Sequence, residues 1–407
     1  MVDKLRFVGM LMNLTDLCEV FTDGDWIESK DQSKDGIRLI QTGNIGIGQF
    51  IEKDDKAKYI SIETFERLKC TEVFEGDILV SRLPDPIGRA CIVPNKTERM
   101  ITAVDCTICR PKADIIDREY LCYFMQSKTY YERLFNNVTG TTRKRISRKN
   151  LGNVEIYVPS KEEQKIIVKK LNLLTKIISN RTKELSYLDN LIKARFVEMF
   201  GDPVHNSLNQ PVLPMTDVCE IIDGDRGKNY PKQDEFFDDE YCLFLNAKNV
   251  TKKGFDFSES MFITKEKDEQ LRKGKLKRGD VVLTTRGTLG NIAFYTEDIP
   301  FENVRINSGM VILRLNKDLI DETFFIEQFR MQVDNIKTSV ASGSAQPQLP
   351  ISTMNKILVL MPDLKLQKQF SRFITQIDKS KVVVPSKIKN AIFVIMLSVS
   401  FGQITSI

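Results

Sequence analysis

One histidine stands among 407 residues. Catalytic triads and Cys–His pairs need a histidine supported by a third group, and most zinc sites need several His or Cys ligands. His205 lies in Gly201-Asp202-Pro203-Val204-His205-Asn206, a turn-rich stretch, and reads as exposed and inert. The eight cysteines are scattered at 18, 70, 91, 106, 109, 122, 219 and 242. Their only CxxC, Cys106-Thr107-Ile108-Cys109, has no second pair and falls in a strand-like run. Buried thiols in a reducing compartment are the expectation, with no metal site. No apolar run reaches the roughly 18 residues that span a bilayer. The start, Met1-Val2-Asp3-Lys4-Leu5-Arg6, leads into no apolar stretch of signal type, so a cytoplasmic protein without a membrane partner is expected.

Catalytic motifs are also missing. There is no Gly-x-x-x-x-Gly-Lys phosphate loop, hence no sign of an ATP motor. There is no Asn-Pro-Pro-aromatic tetrapeptide of the kind amino-methyltransferases use to grip a flipped base. Gly43-Asn44-Ile45-Gly46-Ile47-Gly48 has the wrong order for a dinucleotide site and reads as a tight turn. Asp23-Gly24-Asp25 and Asp223-Gly224-Asp225 do not continue as calcium loops and read as Asx-type turns.

What is present is a globular composition, 42% hydrophobic and 28% charged, in a length that suits two to three domains at roughly 150 residues each. Net charge is +5, which permits a polyanionic partner without establishing one.

Self-comparison then reveals a duplication. Thr15-Asp16-Leu17-Cys18-Glu19-Val20 recurs as Thr216-Asp217-Val218-Cys219-Glu220-Ile221. The Asp-Gly-Asp triplet recurs, and Gly76-Asp77-Ile78-Leu79-Val80-Ser81-Arg82 returns as Gly279-Asp280-Val281-Val282-Leu283-Thr284-Thr285-Arg286 with one insertion. Pro159 and Gln164 match Pro362 and Gln367. The offset stays between about 200 and 205 throughout. Each half reads as about 150 strand-rich residues, a polar loop, a short apolar strand ending in proline, and a helix. Aromatic and apolar residues at helical spacing predict helices over 117–134 and 321–336, packed on the sheet.

From Ser160 to Phe200 there is no Pro or Gly. Ile167, Leu171, Leu174, Ile178, Arg181, Leu185, Leu188, Ile192, Arg195 and Met199 follow alternating 4- and 3-residue steps, a heptad seam. Ser160 with Glu163 forms a capping box, and Gly201 with Pro203 stops the helix. At 1.5 Å per residue the rod would be roughly 60 Å long. Its seam needs a partner helix, which the second repeat offers through Phe370, Ile374 and Ile377. Beyond about Lys381 the second helix departs from the first. Pro385 interrupts it, and Ala391-Ile392-Phe393-Val394-Ile395-Met396-Leu397 is apolar on all sides and reads as buried. The expected division is a first domain at 1–159, a central helix at 160–201, a second domain at 202–362 and a divergent helical region at 363–407.

Charge concentrates in one place. The stretch from Thr139 to Lys149 carries five basic residues and no acid, and its Gly and Ser/Thr flanks make it a loop. Its counterpart, Ala341 to Leu349, is polar and uncharged. Arg and Lys suit phosphates and guanine edges, whereas Ser and Gln suit phosphate oxygens and base edges. The expected DNA contacts are Thr141, Arg143, Lys144, Arg145, Arg148 and Lys149 in the first loop. Ser342, Ser344, Gln346 and Gln348 are their counterparts in the second. Arg82 and Arg89 join the first set and Arg286 the second, each Arg delivered by a strand beside a glycine that permits close approach. Lys228 and Lys248 complete the second set.

This arrangement resembles the specificity subunit of Type I restriction–modification enzymes over nearly the whole chain. The resemblance rests on the two Gly-Asp-[Ile/Val]-strand-Arg stretches, the Gly-Ser/Thr loops at 139–142 and 342–344, the Pro-x-x-x-x-Gln helix starts and the Phe200-Gly201-Asp202-Pro203 helix end. It implies an α+β fold of two similar target-recognition domains, separated by long helices that pair as an antiparallel coiled coil. It implies a subunit without a catalytic centre or cofactor of its own, in which each domain reads one half of a split, asymmetric site in double-stranded DNA. Two methyltransferase subunits with S-adenosylmethionine and restriction subunits with ATP and magnesium would be its partners. Two other readings compete: a coiled-coil scaffold that reads no DNA, and a stand-alone DNA-modifying enzyme.

Overall fold

The computed structural model describes residues 9–136, 144–341 and 348–381. The chain divides into two compact units, the first running to Thr182 and the second beginning at Lys183.

In the first unit β1 (Cys18–Asp23), β2 (Ile78–Ser81), β3 (Ala90–Ile92) and β4 (Cys106–Pro111) form an antiparallel sheet in the order β1-β4-β2-β3. The second unit repeats it with β5 (Cys219–Asp223), β6 (Val281–Thr284), β7 (Ile292–Phe294) and β8 (Met310–Leu315), in the order β5-β8-β6-β7. The inner strands β2 and β6 are buried at every position because both faces of the sheet are covered. One face carries helices. The other carries a second sheet of short strands built on a parallel pair, Ile37–Ile40 with Met100–Thr102 in the first unit and Cys242–Leu245 with Val304–Ile306 in the second.

The Gly-Asp pairs act as structural turns. Gly76 and Gly279 have φ near +84° and +90°, the left-handed region that suits glycine. The aspartate that follows is buried in each case. Asp77 accepts the Phe74 N–H and a two-pronged pair from Arg110 Nε and Nη2, both at 2.8 Å. Asp280 accepts the Lys277 N–H and the same fork from Arg314 at 2.9 and 2.8 Å. Each pair pins the start of one strand to the end of its neighbour.

The helical layer differs between units. In the first, α1 (Arg118–Phe124) and α2 (Lys128–Phe135) are separate, because Ser127 accepts the Tyr130 N–H and starts a new helix. In the second, α4 (Glu322–Ala341) is continuous, with Met331 at the place of Ser127. Between them lies α3 (Lys161–Phe200), 40 residues long. The capping box is present: Ser160 Oγ accepts from Glu163 N, and Glu163 Oε2 accepts from Ser160 N at 2.9 Å. Gly201, with φ +83°, ends the helix.

The proline–glutamine motif proves to be a clamp. Gln164 is fully buried; its carbonyl accepts the Asp117 N–H at 2.6 Å and its amide donates to Ile115 and Pro159 carbonyls. Gln367 repeats the pattern with Asp321 N–H at 2.9 Å and the Leu319 and Pro362 carbonyls. Asp117 and Asp321 are in turn the N-caps of α1 and α4. One side chain thus locks the helix that follows each domain to the helical layer within it.

The seam residues distribute themselves accordingly. Ile167 and Leu171, expected in helix pairing, pack into the first core. Leu174, Ile178, Leu185 and Leu188 are half-buried. Ile192 joins the second core together with Phe370 and Ile374 of α5 (Leu364–Lys381), and Ile377 packs against it. Phe196 and Phe200 pack on Phe324 and Phe370, with ring centroids 4.9–5.6 Å apart. Phe370 near the start of α5 meets the end of α3, while Lys381 at its end pairs with Asp189 further back, at 3.0 Å. The two segments therefore run antiparallel within the second unit. The divergent region after Lys381 lies outside the described residues. No helix among the described residues is long and apolar enough to cross a membrane.

Candidate nucleic-acid interface

At one end of the first sheet, β1 leaves at Asp23, β2 leaves at Ser81 and β4 enters at Cys106. Backbone bonds tie these ends together: Gly24 N donates to Cys106 O, Asp25 N to Thr102 O, and Arg82 N to Asp105 O. Ile146, at the far side of the basic loop, donates its N–H to Arg82 O at 3.3 Å. The loop is therefore hung on the strand that carries Arg82.

Arg82 itself is buried. Its guanidinium donates to the Val104 carbonyl at 2.6 Å and lies 3.2 Å from Asp23 Oδ2 and 3.9 Å from Asp105 Oδ1. Burial pulls its pKa below the usual value, with Asp23 and Asp105 opposing that shift. Arg89 is also buried, its donors spent on the carbonyls of Thr42, Ile45, Leu83 and Pro86. Arg82 and Arg89, both expected as DNA contacts, are thus buried and bonded to the protein's own groups, and both position the loops around them. Arg145 is half-exposed and lies 2.8 Å from Asp105 Oδ1. Lys144, Arg148 and Lys149 are exposed, and among the described residues none of them is held in an ion pair. Ser147 caps the short helix Arg148–Gly152, which places Arg148 and Lys149 in its first turn. Thr141 and Arg143 lie outside the described residues.

The second unit builds the same end with other residues. Thr285 N donates to Gly309 O, and Leu349 N donates to Thr285 O at 3.0 Å. This register makes Thr285, not Arg286, the counterpart of Arg82. The exposed Arg286 is one step further out, and a Cβ on Gly309 would lie 3.9 Å from its Cβ. Lys248 is exposed, 2.8 Å from Glu259, and its loop touches this end through Thr288 Oγ1, which donates to Ala247 O. Lys228 is exposed on the loop after Asp225, and Gln348 is exposed beside Leu349. Ser342, Ser344 and Gln346 lie outside the described residues. The structure therefore gathers Lys144, Arg145, Arg148 and Lys149 at one sheet end, and Arg286, Gln348 and the loop of Lys248 at the matching end of the other.

Sequence reasoning missed the acidic half of this site. Asp23 and Asp105 neutralise Arg82 and Arg145, and only the spatial meeting of β1, β2 and β4 reveals it. Among the described residues no group of three or more His, Cys, Asp or Glu could hold a metal ion. All eight cysteines are buried and unpaired.

Two stretches of the chain, residues 10–187 and 211–392, match the model of the Type I restriction modification DNA specificity domain. The chain belongs to that family. Its curated relatives include the Type I restriction enzyme MjaIX specificity subunit of Methanocaldococcus jannaschii, 25% identical over 390 residues, covering 91% of this chain and 85% of the relative. The putative MjaX specificity subunit of the same organism is 21% identical over 394 residues, covering 90% and 85%. Among solved structures, a Type I restriction-modification S subunit from M. genitalium superimposes with a TM-score of 0.53 at 16% identity, covering 97% of this chain and 94% of that one. A chain from a structure concerned with complex assembly and conformational transition of the type I R-M system gives 0.56 at 14% identity, covering 96% and 97%. At these identities the likeness establishes the fold. Family membership selects the specificity-subunit reading over the scaffold and the stand-alone enzyme. It accords with the two domains and the long helix between them.

Proposed function

We propose that this chain is the DNA-reading subunit of a Type I restriction–modification complex, with each unit contacting one half of a split, asymmetric site. The observation that carries this is the pair of matched sheet ends with different side chains. The first presents Lys144, Arg145, Arg148 and Lys149; the second presents Gln348 and Arg286. Cations position a protein on phosphates, and Arg, Gln and Asn read base edges in the major groove. Two modules of one architecture with different surface chemistry suit two unrelated half-sequences. Thr141, Arg143, Ser342, Ser344 and Gln346 belong to the same proposed contact set.

In this reading the functional division is 1–159, 160–201, 202–362 and 363–407, with α3 and α5 setting the gap between half-sites. Two methyltransferase subunits carrying S-adenosylmethionine would dock on the chain and methylate adenine. Restriction subunits using ATP and magnesium would cut unmodified DNA. The chain itself would work in the cytoplasm and contribute recognition without chemistry.

The test is to map methylated adenines in DNA from cells carrying this chain with its methyltransferase subunit. A split motif with two unlike halves is expected. A continuous or palindromic motif, or methylation without sequence preference, would overturn the proposal.

A further inference from the structure

The chain has a single tryptophan, Trp26, and it is 70% exposed. It follows the Asp23-Gly24-Asp25 turn. That turn is built rigidly into the loop end of the first sheet. A Cβ on Gly24 would come within 2.3 Å of the Thr102 carbonyl, and Asp25 Oδ2 accepts the Thr71 N–H at 2.9 Å. Asp23 pairs with Arg82, whose carbonyl holds the end of the basic loop. Trp26 is thus an exposed indole on a fixed backbone, at the same sheet end as Lys144 and Arg145.

The second unit has the same turn with a different last residue. Asp223-Gly224-Asp225 is followed by Arg226, also exposed, which donates to Asp223 and to the Ser308 carbonyl. The turn is kept and the outward side chain is changed, from a large apolar ring to a cation with a planar fork. An indole offers apolar area, which in the major groove is matched by the thymine C5-methyl group, whereas an arginine fork matches guanine O6 and N7.

Resting on the proposed DNA-reading function, we propose that Trp26 is a specificity-determining residue of the first unit, making apolar contact with a thymine methyl in the first half-site. Indole contact adds no phosphate neutralisation, so it alters sequence choice without altering salt dependence.

Two measurements on the full chain test this. Methylated sites are mapped in cells carrying the wild-type chain, Trp26→Ala or Trp26→Arg, each with the methyltransferase subunit. Binding of the mapped duplex is then measured with thymine or deoxyuridine at each first-half position. With Trp26→Ala, one A·T position of the first half should become degenerate, and the second half should stay the same. Deoxyuridine at that position should weaken wild-type binding about tenfold and leave Trp26→Ala binding unaffected. An unchanged motif with Trp26→Ala, a change in the second half, or equal deoxyuridine sensitivity in both chains would overturn the assignment. If the wild-type chain directs no split motif, the DNA-reading function itself fails, which is a separate result. Emission from the sole tryptophan gives an independent readout: it should shift when duplex is added, and an unshifted spectrum at saturating DNA counts against contact.

Discussion

Asp105 shows how one residue sets the charge that the first loop presents. It faces both Arg82 and Arg145, so part of the cationic character counted along the chain is cancelled at the sheet end. Replacing it with Asn should release Arg145 for phosphate. Binding to random-sequence duplex should tighten, and the slope of log affinity against log salt should steepen by up to about 1. A slope equal to the wild type in a salt titration would show that Asp105 does not restrain Arg145. The cysteines make a second residue-scale case. Burial pushes Cys106 and Cys122 up to about 12, so both thiols stay protonated across the physiological range. All eight cysteines are buried, and the native chain at pH 8 should resist alkylation that the unfolded chain undergoes fully, as read by mass. Rapid labelling of the native chain would contradict this packing.

At the scale of elements, the glutamine clamp carries the clearest stability prediction. Gln164→Leu would strand the Asp117 N–H and the Ile115 and Pro159 carbonyls in the interior, at a cost of about 1–3 kcal/mol. A lower denaturant midpoint is expected, and Gln367→Leu should act on the second unit in the same way. The sequence carried the match between the two motifs but not its role, because the helix caps that the glutamines hold, Asp117 and Asp321, lie 47 and 46 positions upstream. Helix α3 was legible from end to end, since its capping box and terminal glycine are local signals. Arg286 was misplaced for an equally physical reason. Matching the two arginines required an insertion, whereas the hydrogen-bond ladder continues without one and puts Thr285 beside Gly309. A buried Arg82 looks the same in sequence as an exposed one. The break between α1 and α2 was likewise hidden, because the aromatic stripe continues through Ser127 as if the helix did.

For the molecule as a whole, duplication was the feature most visible in the sequence, because it needs only comparison of the chain with itself. Which side chains reach the interface was far less visible, since that depends on the convergence of three strand ends. Arg143, Lys144 and Arg145 changed together to Ala should weaken binding to every sequence and reduce the salt slope by at most about 3. A slope identical to the wild type would remove that loop from the interface. Exchanging the first unit for that of another family member should alter one half of the mapped motif alone, and a change in both halves would contradict the modular reading.

The two glutamine clamps also say where such an exchange can be made. Every partner of Gln164 lies upstream of it, and every partner of Gln367 lies in its own unit. Among the described residues, the last α3 side chain in the first core is Leu171 and the first in the second core is Ile192. Around 176–188, α3 places no side chain in either of these cores, so genetic crossover there leaves both cores and both clamps whole. Two genes of this kind that recombine there would yield a chain with both clamps whole and a new pairing of half-sites, so that a single exchange event, without any point mutation, could give a cell a target sequence neither parent recognised.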